Sequence, residues 1–267
     1  MKLCLSNLVR CLSLLTASGL LSLTGAHALA QATATKLTTA EEVLKRYVEV
    51  TGGEEKYKEI QGVSQEASMS LPLAGIEGKM EIKYSGQDQL LVEVDLGEAG
   101  KESSGISDGT GWSDSINTGT RLITGKELEQ LKSQADMRQY YQPEAVYQEM
   151  ELVGETEVDG EACYELKMTR KSGSVENEFY SVETGLKVKT KMTAETAMGA
   201  IPVEMFYKEY KKYNGIQHPT VMIQKLPNGM EMEIKTVQFE VNPKFAKGTF
   251  DMPEKVKKLV DKQNKKN

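Results

Sequence analysis

Two histidines, three cysteines and one tryptophan in 267 residues leave little material for metal or nucleophilic chemistry. Zinc sites built on three imidazoles, or on two with a carboxylate, need more histidine than this chain carries, and HExxH proteases and two-histidine iron centres fail the same count. There is no Walker pattern, no dinucleotide fingerprint and no CxxC, so no cofactor is expected. Long apolar runs are also scarce. The one near the start, Leu12 to Leu23, follows the basic residues Lys2 and Arg10 and precedes Ala26, Ala28 and Ala30. This pattern predicts a secretory signal over residues 1–30, cleaved after Ala30. Ser13, Thr16, Ser18, Ser22 and Thr24 interrupt the run, which is short for a bilayer span. No later segment is apolar enough to span a membrane.

Cleavage removes Cys4, Cys11 and His27, leaving Cys163 and His218 alone of their kinds. A disulfide scaffold is thereby excluded. No cysteine follows the small residues at the cleavage site, so no acylation is expected there. With Lys2 and Arg10 gone, 31 basic residues face 39 acidic ones, a balance of −8 that argues against a broad nucleic-acid surface. A soluble exported protein of 237 residues is expected.

Thr39 and Glu42 match a capping box, and Leu44, Tyr47 and Val48 share a helical face that Thr51-Gly52-Gly53 can stop. A second short helical segment is expected around Lys56 and Tyr57. After Gly62 the apolar period changes to two. Val63, Ala67, Met69, Leu71 and Leu73 lie on one side of a strand, Ile76, Met80, Ile82 and Tyr84 on one side of the next, and Leu90, Val92, Val94 and Leu96 on one side of a third. A turn-rich stretch follows, in which Asp108-Gly109 reverses into a strand carrying Trp112. Thr124 and Glu127 suggest a second capping box, opening a helix with Leu128, Leu131 and Ala135 that ends before Tyr140-Tyr141-Gln142-Pro143. A second short helix is possible around Glu144 to Gln148. Strands resume near Met150, with turns near Gly160, Ser172-Gly173, Thr184-Gly185, Asn214-Gly215 and Asn228-Gly229.

Two strands change phase: Tyr210 falls off the alternation of Val203, Met205 and Tyr207, and Val237, Phe239 and Val241 take the opposite parity to Met230, Met232 and Ile234. A bulge or sharp coil in each would reconcile this and suits a curling sheet. The expected fold is mainly β: a single curved antiparallel sheet or incomplete barrel of about eleven strands over residues 31–253, with covering helices. Residues 254–267 are lysine-rich at a net +4 and read as a frayed helix or tail, or as a contact for anionic lipid.

Candidate catalytic groups are sparse. Glu102, Asp108 and Asp114 sit among glycines that hairpin ends explain equally well, and their spacing is not that of an EF-hand. His218 precedes Pro219 and reads as ordinary strand or turn chemistry. Cys163 lies opposite the Ala162-Tyr164-Leu166 face as a structural thiol, and Trp112 fills a core or stacks a ligand. No catalytic or metal-ligating residue is assigned, and an enzyme is not expected. The excess is in methionine: twelve remain after residue 30, several on apolar strand faces, including Met69, Met80, Met168, Met205, Met230 and Met232. Methionine suits both an ordinary core and a cavity that accommodates varied apolar partners.

The capped helix Ala40 to Val50, the successive meander strands, the segment Val158-Asp159-Gly160 through Tyr164-Glu165-Leu166, and Phe179-Tyr180 through Glu183-Thr184-Gly185-Leu186 together resemble the periplasmic lipoprotein-carrier (LolA/LolB-like) superfamily over roughly residues 38–253. The resemblance implies an incomplete barrel covered by helices, with an apolar interior for acyl chains. It puts Met69, Met80, Ile82, Val92 and Val94 on the cavity side and Leu128 and Leu131 in the covering helix. Met205 and Met232 join them through their strand faces as candidate ligand-binding residues. Carriers commonly use a buried arginine in the strands corresponding to Val63–Leu96, and this chain has none there. The partners implied are a lipid, a fatty acyl chain or a lipoprotein, with an envelope protein also possible. The readings to be separated are an amphiphile carrier or sensor, a structural or interaction module, and a hydrolase or lyase using Asp108, Asp114 or His218.

Overall fold

The computed structural model describes residues 36–265 apart from 87, 117, 135, 198 and 228, and from Leu37 onward these form one compact unit. The signal reading of residues 1–30 lies outside the described residues, as do Ala135 and Asn228. The capping box at Thr39 forms as expected: Glu42 N–H donates to Thr39 Oγ1 and Thr39 N–H to Glu42 Oε2, both at 3.2 Å. It starts helix α1 (Ala40–Thr51), which Gly52 ends at φ 150° and Gly53 follows at φ 88°. The short helix α2 (Glu54–Lys58) comes next.

Among the described residues, thirteen antiparallel strands make one open sheet in the order β6-β5-β4-β3-β2-β1-β13-β12-β11-β10-β9-β8-β7. They are β1 (Gly62–Leu71), β2 (Ile76–Ser85), β3 (Gln89–Asp95), β4 (Lys101–Ser107), β5 (Thr110–Ser115), β6 (Gly119–Ile123), β7 (Tyr147–Val158), β8 (Glu161–Arg170), β9 (Val175–Ser181), β10 (Lys187–Thr196), β11 (Gly199–Tyr213), β12 (Ile216–Lys225) and β13 (Glu231–Val241). The count exceeds the expected eleven by β4 and β6, which lie in the stretch read as turns. Their glycines and hydroxyl residues hide the apolar alternation. Strand β1 ends at Leu71, and Leu73, expected on its apolar side, is 77% exposed on a 3-10 turn.

Tight reversals hold the meander. Asp108-Gly109, Asp159-Gly160 and Asn214-Gly215 all take positive φ at both positions, as two-residue hairpin turns require. Both phase changes have local causes. Glu209 adopts φ 53°, and Tyr210 beyond it turns inward, its hydroxyl donating to the Lys187 carbonyl at 2.9 Å. In β13 the register against β1 shifts between Glu66 and Ala67, and Val237 is the extra residue. It is 69% exposed rather than aligned with Phe239.

The helices that precede β7 cover one face, and the C-terminal helix packs on the other. The apolar stripe of α1 (Val43, Leu44, Tyr47 and Val48) packs on Tyr164, Leu166 and Met168 of β8, Tyr180 of β9 and Ile216 of β12. Burying each large side chain here contributes about 1.5–3 kcal/mol, and Met168 is packed core. Helix α3 (Gly125–Gln134), a 3-10 turn (Met137–Tyr140) and helix α4 (Pro143–Val146) continue the cover. The basic C-terminal stretch forms helix α5 (Glu254–Asn264), docked on β5 and β6 with Val256 fully buried and Lys255 Nζ 3.2 Å from Asp114. No helix among the described residues is long and apolar enough to cross a membrane.

Candidate functional site

Strand register fixes which side chains share the helix-covered face, because cross-strand partners point the same way. Ala67 pairs with Met80, Met80 with Val94, Ile82 with Val92, and Met69 with Ile234. Ile234 continues to Met222, while Met232 continues through Gln224 to Met205. Met69, Met80, Ile82, Val92, Val94, Met205 and Met232 therefore lie on one face. All except Met69 are half-buried rather than sealed. On the half of the sheet under α1, side chains fill the equivalent space.

Helix α3 bridges the mouth of the open half. The ideal Cβ of an alanine at Gly111 would sit 2.6 Å from Leu128 Cδ1, so this glycine lets α3 approach β5. Gln130 spans to the far wall, donating to Thr193 O and accepting from Glu195 N, both at 2.8 Å. Glu127 does not reach back to Thr124; its carboxylate accepts from both terminal nitrogens of Arg121, at 2.5 and 2.8 Å. Beneath α3 lies a cavity of about 480 Å³, lined by Val92, Val94 and Leu131, by Ser104, Ser113 and Arg121, and by the β10–β11 hairpin. Leu128 packs beside this cavity. A second groove, of about 570 Å³, runs on the opposite face between the rows Glu66-Glu81-Glu93 and Ser68-Lys79-Asp95, with Met80 and Val94 at the positions between. Met69, Ile82, Met205 and Met232 share the inner face without lining either space.

A buried polar network under α1 and the 3-10 turn carried no apolar signal in the sequence. Arg170 pairs with Glu176 at 2.7 Å and donates to Ser133 Oγ at 2.9 Å and Gln139 Oε1 at 3.2 Å. It therefore joins the C-terminal turn of α3 and the 3-10 turn to β8 and β9. Lys187 pairs with Glu178, which also accepts from Tyr180 Oη. Burial opposes charge on Glu178, but Lys187 outweighs it and the carboxyl stays below the usual range. Burial and the Glu178 charge raise Glu176, despite Arg170. The alternation of Glu176, Glu178 and Tyr180 in β9 was the available clue to an inward polar row.

The sparse chemical candidates do not converge. Glu102 shares the inner face with Val94, whereas Asp114 pairs with Ser103 on the other face. Bonds from Thr120 and then Lys255 hold the Asp114 carboxyl below its usual range. Asp108 is exposed at a hairpin tip. His218 stacks on Phe239 with ring centroids 4.0 Å apart, and burial pushes its pKa down to about 4. Cys163 is fully buried beside Val158, Phe179 and Phe206, and burial raises its thiol to about 11. Trp112 is buried, donating to Ser107, whose hydroxyl reaches the Phe250 carbonyl at 2.6 Å. Among the described residues no group of three or more His, Cys, Asp or Glu could hold a metal ion.

No protein-family model and no curated protein sequence matches the chain. Solved structures do. A LolA superfamily protein from Nitrosomonas europaea matches with TM-score 0.52 at 13% identity, over 81% of this chain and 99% of that one. A domain assigned as an outer membrane lipoprotein-sorting protein from Vibrio parahaemolyticus matches with TM-score 0.53 at 13% identity, over 79% of this chain and 97% of that one. A DUF1329 family protein from Desulfovibrio piger gives 0.51 at 20% identity, with coverage of 79% and 97%. At these identities the likeness is one of fold: the chain has the LolA-like architecture of a large, curved, open sheet under covering helices.

Proposed function

We propose that this protein binds or carries an amphiphile, such as a lipid or the acyl group of a lipoprotein, as an exported protein of the periplasm. The observation that carries this reading is the half-buried methionine and aliphatic face that continues beneath α3. Apolar side chains left partly open on a concave surface gain from burial by an acyl chain, and methionine adapts to irregular chain packing. The fold likeness to a lipoprotein-sorting domain supports the reading, as does the predicted signal over residues 1–30.

The mechanism is reversible burial. Helix α3 is held by a few polar contacts, chiefly Arg121–Glu127, Gln130 and Arg170–Ser133, which can exchange for water at modest net cost. Its displacement uncovers the apolar face, the chain enters, and the polar head remains near the rim. The α1 half serves as a rigid wall, because its core is filled.

Native mass spectrometry after gentle extraction tests the proposal. Retained mass in the lipid range, or saturable uptake of a lipopeptide or fatty acyl probe, supports it. Reproducible absence of bound lipid, with no uptake of either probe, overturns it in favour of a structural or interaction module.

A further inference from the structure

The inner face is not uniformly apolar, and its gradient runs across the strands. One row passes by register from Ile82 to Val92, then to Ser104, Ser113 and Arg121. The neighbouring row passes from Met80 to Val94 and then to Glu102, whose carboxylate accepts from Ser115 Oγ at 2.7 Å. In these two rows β2 and β3 are apolar where β4, β5 and β6 are polar, and Ile106 and Ile123 form an apolar row beyond them on the same face. The cavity beneath α3 straddles this boundary, since Val92 and Val94 line it together with Ser104, Ser113 and Arg121.

The polar end has unspent hydrogen-bonding capacity. Among the described residues, neither the Ser104 nor the Ser113 hydroxyl has a partner in the chain, although each can donate one bond and accept two. Arg121 spends both terminal nitrogens on Glu127, and its buried Nε has no partner. Gln130 is already committed to backbone at both ends. The charge on the inner face is also defined: Glu102 and Glu127 face the single guanidinium of Arg121, a balance of −1, while Glu195 has the opposite parity in β10 and offers the cavity's edge its backbone N–H. A phosphate or carboxylate entering this space meets net like charge and finds its one cation already neutralised. A quaternary cation finds Glu127 held by Arg121 and Glu102 accepting from Ser115, and has no hydrogen to give a hydroxyl, whereas an uncharged hydroxyl- or ester-bearing head meets the free hydroxyls of Ser104 and Ser113.

The geometry points to the cavity under α3 as a head-group seat for an uncharged, hydroxyl- or ester-bearing amphiphile of the acylglycerol type, with its acyl chain directed over β3 and β2. This rests on the amphiphile-binding reading and narrows it to a class of head. A few fixed polar groups at the end of an apolar site are how such sites orient their ligands.

The test titrates the purified chain with three probes of one acyl length: monomyristoylglycerol, myristoyl lysophosphatidic acid and tetradecyltrimethylammonium. The glyceride should bind at least about tenfold more tightly than the anion. The double variant Ser104→Ala, Ser113→Ala should weaken the glyceride about fivefold or more while leaving the two charged probes unchanged, since each lost hydrogen bond to an uncharged group is worth about a fivefold change. Thermal melts of the variant verify folding, which two near-isosteric replacements should preserve. If no probe binds, the amphiphile reading fails and takes the seat with it. If the probes bind but a charged head matches or exceeds the glyceride, or the serine variant binds the glyceride unchanged, the head-group assignment alone is overturned and the amphiphile reading stands.

Discussion

Replacing His218 by leucine should flatten the acid sensitivity of folding. The ring stacks on Phe239 at 4.0 Å and 18°, has Tyr213 edge-on at 6.5 Å, and leaves its buried Nε2 without a partner. Charging it would place an unsolvated cation between aromatic rings, so burial lowers its pKa from 6.5 to about 4. The folded pKa lies below the unfolded one. The imidazole is neutral in both states above pH 6.5, and stability is lost as pH falls from there towards 4, where only the unfolded state gains the proton readily. Between pH 7 and pH 5 the linkage amounts to about 2 kcal/mol. Urea denaturation of both proteins at the two pH values isolates it, because the titrating carboxylates are common to both. The wild type should lose about 2 kcal/mol more than His218→Leu over that interval. Parallel losses would refute the burial argument and mean that water reaches the ring.

The cover should be separable from the core. Arg170→Leu strands a buried glutamate and frees Ser133, so it should cost about 3 kcal/mol in chemical denaturation and raise amide exchange in α3. Glu176→Gln should cost less than Arg170→Leu, because the amide oxygen can still accept from the Arg170 guanidinium. Gly111→Ala drives a methyl to 2.6 Å from Leu128 Cδ1, which should loosen α3 at a cost of about 1–3 kcal/mol and speed both uptake and release of an acyl probe in stopped-flow fluorescence. Leu166→Ala opens a void in the filled half and should lower stability by about 3 kcal/mol, with probe affinity unchanged in titration.

The alternation of Val63 to Leu96 placed five candidate side chains, Met69, Met80, Ile82, Val92 and Val94, on one common face, because a half-buried strand writes its face into every second residue. Thr39 and Glu42 likewise marked the start of α1, as a cap depends only on residues three apart. The kinks at Glu209 and Val237 were visible as broken parity, though Val237 itself was assigned to the apolar side and proves to be the exposed residue of the bulge. Strands β4 and β6 were invisible because Lys101-Glu-Ser-Ser-Gly and Gly119-Thr-Arg carry no apolar period; their pairing is supplied by neighbours. The Arg170–Glu176 and Lys187–Glu178 pairs were missed for a related reason. A charged residue in a strand reads as solvent-facing unless its counter-charge, brought by another strand, is known. Docking of α5 over the strand that carries Trp112 is equally non-local, joining residues more than a hundred positions apart.

Photo-crosslinking with a diazirine at the middle of an acyl chain, followed by peptide mapping, tests the central claim most directly. The account predicts saturable adducts on inner-face residues of β1, β2, β3, β11 and β13 and on Leu128 or Leu131 of α3, competed away by unlabelled amphiphile. Adducts confined to the opposite face, around Glu66, Lys79 and Val237, or labelling that no competitor displaces, would contradict it.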